Sequence, residues 1–161
     1  MNSTEYTFNF VLEIMHRLAQ AQIATWLFGG WAEELWGLCY PRSHHDIDLL
    51  YPTTNFLQLD QWLADTSDLS DIPAKRFCHK RALLCKDIMI EVIMLEPVES
   101  GGYLTNFFNQ RYQLVWPHDT LSLLFVRGQE VPVASEEALC MYRQQHRLVD
   151  AAYQNYLQEQ F

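Results

Sequence analysis

Two carboxylates stand two residues apart at Asp46-Ile47-Asp48. On a strand that spacing puts both on one face, roughly 6.5–7 Å along the chain, and turns Ile47 and Leu49 toward a core. Carboxylates that share a face repel each other, and a divalent cation with oxygen ligands relieves the repulsion. Upstream lie a Gly29-Gly30 turn, whose bare backbone can approach an anion, and the basic residues Arg42, His44 and His45. Metal-binding acids beside phosphate-binding groups point to nucleotide chemistry.

A third acid is Glu91, the lone charge in Ile-Met-Ile-Glu-Val-Ile-Met-Leu at 88–95. A carboxylate inside such a strand must reach solvent or a partner, because burying it unpaired costs several kcal/mol or neutralises it. If its strand lies beside 46–51, Glu91 joins Asp46 and Asp48 on one face. Three carboxylates then suit Mg²⁺, which completes its shell with substrate phosphates. Asp87 reads as a turn residue and Glu96, before Pro97, as a strand-end charge.

The elements that must position these residues follow from periodicity. Residues 5–21 repeat apolar side chains at helical spacing. Residues 23–28 form a short apolar strand that Gly29-Gly30 breaks, and 31–36 make a short helix ending near Gly37. A loop over 39–45 leads to the strand 46–51, stopped by Pro52. Thr54 caps a helix over 55–65, and 67–73 is turn-like. Strands at 76–85 and 88–95 form a hairpin about Lys86-Asp87. Further strands lie at 112–116, 121–127 and 130–134. Ser135 caps a helix to 145, and a last helix covers 148–158. The order predicts an α/β (α+β) chain with helices packed on one mixed sheet.

With 161 residues the chain is expected to form one domain. A net charge of -9 argues against general nucleic-acid binding and suits a cationic substrate. The four cysteines contain no C-x-x-C pair, which disfavours a zinc site or a disulfide framework and predicts reduced thiols in a cytoplasmic protein. The N-terminal residues lack a basic region followed by an apolar run, so no signal peptide is read, and no apolar run approaches the ~20 residues of a membrane span. His45 reads as a solvated loop residue and Glu33-Glu34 as a solvated helix face. Trp31, Trp36 and Tyr40 are either core residues or the lining of a sugar pocket. The oligomeric state is left open between monomer and homodimer.

Gly29-Gly30-Trp31-Ala32, Gly37 and the string Arg42-x-His44-x-Asp46-Ile47-Asp48 resemble the small antibiotic nucleotidyltransferases of the DNA-polymerase-β-like superfamily, above all the aminoglycoside 2″- and lincosamide nucleotidyltransferase groups. The resemblance is sharp over 26–51. It continues loosely through Gly101-Gly102-Tyr103, a Gly-x-x-Val-Pro stretch at 128–132 and the Ser-Glu-Glu-Ala-Leu helix start. It implies a nucleotidyltransferase fold over 1–161, with a catalytic core at about 22–96 and C-terminal strands and helices at about 110–161. It further implies that Asp46 and Asp48 coordinate Mg²⁺ on a nucleoside triphosphate such as ATP. Glu91 would serve as a metal ligand or as the base for an acceptor hydroxyl, while Gly29, Gly30, Arg42 and His44 hold the triphosphate. Arg143, on the helix after Ser135, either reaches the phosphates or is a surface arginine. Two departures stand out. The wider superfamily often has Gly-Ser at the glycine pair, and its third acid is often Asp. The expected reaction moves AMP to a hydroxyl of a small acceptor, with an aminoglycoside as the first choice. The rivals are a lincosamide or another metabolite as acceptor, a protein-AMPylating antitoxin, and a non-catalytic nucleotide-binding protein.

Overall fold

A computed structural model describes residues 3–160; Met1, Asn2 and Phe161, the first two from the stretch read for a signal peptide, lie outside the described residues. Among the described residues the elements run α1 (Ser3–Gln20), β1 (Trp26–Phe28), α2 (Gly29–Leu35), β2 (Asp46–Pro52), α3 (Leu57–Ala64), β3 (Ser70–Asp71), β4 (Lys80–Cys85), β5 (Ile88–Pro97), β6 (Tyr103–Phe107), β7 (Tyr112–Val115), β8 (Leu121–Val126), β9 (Gln129–Ala134) and α4 (Glu136–Glu159), with a 3-10 turn at Pro73–Lys75. The strands build one mixed sheet in the order β3-β4-β5-β2-β1-β9-β8, and β6 extends it from the end of β5 to β7. This is the α/β architecture the periodicity predicts.

β2 occupies the middle of the sheet because its apolar residues can be buried on both faces. Ile47, Leu49 and Leu50 are fully buried. It runs antiparallel to β1 and parallel to β5. The β4–β5 hairpin forms as expected, and Lys86 and Asp87 both take the positive φ (50° and 64°) that a tight two-residue turn needs. That turn fixes the register of β5, and with it the place of Glu91.

Five local expectations are corrected. β1 begins only at Trp26, because Ile23 is held in the turn that closes α1: Gln22 turns to φ 65° and the Ile23 N–H donates to Leu18 O at 2.9 Å. Gly29 and Gly30 do not separate strand from helix; they are the first residues of α2. Asn55 rather than Thr54 serves the start of α3, its Oδ1 accepting the Leu57 N–H at 2.9 Å. β4 starts at Lys80, since Phe77 and Lys80 exchange backbone bonds at 3.1 and 3.2 Å in a tight turn. The two C-terminal helices are one helix, capped at Ser135 as expected. No glycine or proline interrupts residues 136–159, so nothing ends the helix at 145.

β6 is an element that hydrophobic patterning does not reveal. Its innermost residue is a threonine. Thr105 Oγ1 donates to Met94 O at 2.6 Å and accepts the Trp116 indole N–H at 2.8 Å, fully buried. These bonds tie β6 and the segment after β7 to β5. Thr105→Val keeps the shape and leaves the Trp116 indole N–H without its acceptor, which should cost about 2 kcal/mol. Chemical denaturation should show a lower midpoint with an unchanged slope.

Candidate active site

The parallel pairing of β2 with β5 sets Asp48 directly beside Glu91, with Asp46 beside Met89. Neighbours in register on adjacent strands share a face, so Asp46, Asp48 and Glu91 converge. One oxygen from each lies within 4.8 Å of the others.

The charge balance there is uneven. Burial, then the charges of Asp46 and Glu91, push the Asp48 carboxyl up to about 8. Burial acts on Glu91 in the same direction, but Lys80 and Lys75 overcome it and hold Glu91 below its usual value. Lys80 Nζ stands 2.8 Å from Glu91 Oε2 and Lys75 Nζ 3.1 Å from Oε1. A site whose three donors are all carboxylate oxygens within reach of one ion fits a hard divalent cation such as Mg²⁺.

The glycine pair has a packing reason. Gly29 has φ +66°, and a Cβ there would come 2.2 Å from Asp48 Oδ2. A Cβ on Gly30 would meet His44 Nδ1 at 2.8 Å and an Arg42 guanidinium nitrogen at 2.9 Å. The bare backbone thus receives Asp48 from one side and His44 with Arg42 from the other. His44 is further held by its Nε2 at 3.0 Å from Glu34 Oε1, and by the Trp31 ring at 4.3 Å between centroids. The same Glu34 oxygen accepts the Arg42 backbone N–H at 2.9 Å. Glu34 therefore clamps the basic loop onto α2 and is not the solvated residue the sequence suggested. Glu33 likewise pairs with Arg143.

A cavity of about 340 Å³ opens over the carboxylates. Its floor is Asp46, Asp48 and Glu91, with Lys75 and Lys80 beside them. One wall is α4, which presents Tyr142, His146, Val149, Asp150 and Tyr153; Phe77, Phe107 and Phe108 complete an aromatic side. Spacings of four, three, one and three residues keep the α4 set on one helical face. His79, buried among these rings, accepts the Phe108 N–H at 3.2 Å; burial, then Lys80, hold its pKa down to about 3, so it stays neutral.

The structure brings Asp46, Asp48, Glu91 and Gly29 together on this cavity, while Gly30, Arg42 and His44 pack on one another beside Gly29 and are not part of its lining. Arg143 stands apart, exposed on α4 against Glu33 and outside the cavity lining. Trp31 is core, Trp36 donates its indole N–H to Ala134 O at 2.8 Å, and Tyr40 is 91% exposed; none lines the cavity. The sequence reading missed Lys75, Lys80 and the aromatic wall. Lys80 was within reach of it. A turn centred on Lys86-Asp87 pairs Ala82 with Glu91 and sets Lys80 one diagonal step away on the same face.

The raised Asp48 carboxyl predicts a stability signature in the cation-free protein. Between its usual value near 3.8 and about 8, the folded chain holds a proton that the unfolded chain has lost. Stability therefore falls as pH rises through this window. Asp48→Asn removes that loss. The variant should match the wild type at pH 3.5 and exceed it by roughly a few kcal/mol at pH 8 in chelator-treated denaturation curves. A constant difference across pH would show that Asp48 is not the group responsible.

Comparison with known proteins agrees with this architecture. The sequence matches the aminoglycoside-2''-adenylyltransferase family over residues 10–157. Among solved structures, the lincomycin-bound lincosamide antibiotic adenylyltransferase LnuA is similar with a TM-score of 0.69 at 16% identity, over 91% of this chain and 93% of that one. ANT(2'')-Ia in complex with adenylyl-2''-tobramycin is similar with a TM-score of 0.63 at 14% identity, over 97% of this chain and 90% of that one. At those identities the structures share the fold. No curated protein matches the chain in sequence. Among the described residues no helix is long and apolar enough to cross a membrane. The family match spans nearly all of the sequence: the chain belongs to the aminoglycoside-2''-adenylyltransferase family of antibiotic nucleotidyltransferases, and is an enzyme of that kind.

Proposed function

We propose that the protein transfers AMP from ATP to a hydroxyl of a small acceptor and releases pyrophosphate. The observation that carries this reading is the convergence of three carboxylates at the floor of a cavity large enough for a small molecule. Asp46, Asp48 and Glu91 would hold Mg²⁺, which when bound offsets charge on the triphosphate and on the leaving pyrophosphate. The exposed Arg42 would supply a donor on the triphosphate side, with His44, held on Glu34 and packed against Gly30, shaping the loop that carries it. Arg143 can join them only by releasing Glu33. Glu91 suits a ligand better than a base, because two ammonium groups hold its carboxylate low and reduce its proton affinity. Residues 1–161 act as one catalytic domain in this reading, in the cytoplasm where ATP is available.

The acceptor binds between the carboxylates and α4. Asp150, beside His146 Nδ1 at 3.3 Å, adds negative charge on that wall and suits an aminosugar such as an aminoglycoside. The aromatic side favours a second reading. Phe77, Phe107, Phe108 and Tyr153 offer apolar surface to an acceptor with a hydrocarbon part, as in a lincosamide.

Incubation with ATP, Mg²⁺ and a panel of aminoglycosides and lincosamides should release pyrophosphate, with one acceptor gaining the mass of an adenylyl group. No release with any member of either class would refute the assignment of acceptor. Asp46→Asn and Asp48→Asn should each lower turnover about a thousandfold or more while leaving the circular dichroism spectrum unchanged. A folded variant with wild-type turnover would refute the carboxylate site.

A further inference from the structure

The main run of the sheet ends in β3 on one side and in β8 on the other. An open edge offers backbone N–H and C=O groups to any strand that reaches it, and proteins blunt such edges by shortness, charge, proline or a bulge. β3 is blunted, since it is only Ser70–Asp71 and one of the two is an acid. β8 is not. Its residues, Leu-Ser-Leu-Leu-Phe-Val, include no charge and no proline. Its pairing with β9 runs without a bulge from Leu121–Ala134 to Val126–Gln129. Leu123 is 55% exposed and Phe125 72%.

The register decides which groups this edge offers. Arg127 and Gly128 take positive φ (50° and 83°) in the two-residue turn, which closes with a hydrogen bond between Val126 and Gln129. Hydrogen-bonded and open pairs alternate along an antiparallel ladder. At the far end of the strand Thr120 O accepts the Ser135 N–H at 3.0 Å, in step with that alternation. Leu121, Leu123 and Phe125 therefore fall in open pairs, with Leu123 opposite Pro132, which has no N–H to give. Their N–H and C=O groups point away from β9, and their side chains share one face of the sheet.

We infer that β8 pairs antiparallel with β8 of a second copy of the chain, about a two-fold axis at Leu123. In that register Leu123 lies opposite its own counterpart, and Phe125 lies opposite Leu121 of the second copy. The outward backbone groups of all three residues then bond, and both exposed side chains gain apolar neighbours. Charge favours this occupant. The chain carries a net charge of -9, which repels a second copy elsewhere on the surface, but β8 itself is uncharged. Exposed Asp119 precedes the strand and exposed Arg127 follows it, so an antiparallel pair brings an acidic end toward a basic one at both ends. Glu130 is set back on β9, opposite Phe125, and does not meet its counterpart across the axis. β9 and β1 separate β8 from the carboxylates of β2, and no residue of β8 lines the cavity. The pairing therefore leaves the candidate active site open.

Sedimentation equilibrium of the full chain at about 0.1 mM should give twice the 19.0 kDa of one chain. Leu123→Lys sets two ammonium groups against each other at the axis, and Phe125→Lys removes an apolar pair. Each variant should sediment as a single chain with an unchanged circular dichroism spectrum. Leu57→Lys, at a comparably exposed leucine of α3 (73%), should stay dimeric. A wild type that sediments as a single chain at that concentration would overturn the inference and leave the edge to a different partner. A dimer that persists in both folded β8 variants would place the interface elsewhere and overturn it too. If neither variant folds, amide exchange of the wild type decides. The Leu123 and Phe125 amides should exchange more slowly at the dimer-forming concentration than on dilution, and equal rates at both would refute the pairing.

Discussion

The structure depends on the repulsion held between β2 and β5. A parallel pairing that sets Asp48 beside Glu91 forces carboxylates into contact range at the centre of the sheet, the most costly place for them. Every neighbouring feature answers that cost in part. Asp48 keeps a proton to about 8, and Lys80 and Lys75 flank Glu91. Gly29 gives up a side chain so that Asp48 has room. A sheet selected for stability alone would place an aliphatic residue at each acidic position. The retained acids therefore mark the function, and the apolar residues that alternate with them supply the stability. Ile47, Leu49, Ile90 and Val92 face the other way and are fully buried.

Much of the centre was legible in the sequence because it is built from short-range rules. Residues two apart on a strand share a face, which paired Asp46 with Asp48. A hairpin about Lys86-Asp87 and a lone acid in an apolar strand pointed to Glu91. The strand order was not legible, since nothing local says that β5 lies parallel to β2 and not at the far edge of the sheet. The misreadings have a common cause. Thr105 bonds in the core to Met94 of β5 and to Trp116 of the segment after β7, so β6 does not look like a core strand. Glu34 looks like a solvated helix acid because its partners, His44 and the Arg42 backbone, arrive through a loop. His79, to which the strand pattern assigns no role, is buried by the rings of Phe77, Phe107 and Phe108. In each case tertiary contacts decide a polar residue's fate, and local pattern does not carry them.

The length of α4 is the remaining link between fold and chemistry. Read as two helices broken near residue 147, the C-terminus would offer no continuous surface to the sheet. As one helix of 24 residues it crosses the carboxylates with a single face. Tyr142 anchors that face at one end, stacking on Trp116 at 6.0 Å and meeting Phe28, the residue in register with Asp48, edge-on at 5.0 Å. Tyr153 anchors it at the other, stacked on Phe108 at 5.0 Å. Between the two anchors His146, Val149 and Asp150 look into the cavity. The carboxylates are thus fixed by sheet register, while the other side of the cavity rides on a helix held by aromatic contacts. Substitutions along that helical face can alter what the cavity admits without disturbing the register that assembles the carboxylates. The residues most legible in the sequence are therefore those set by strand register, and the least legible are those that the helix brings to the cavity from far along the chain.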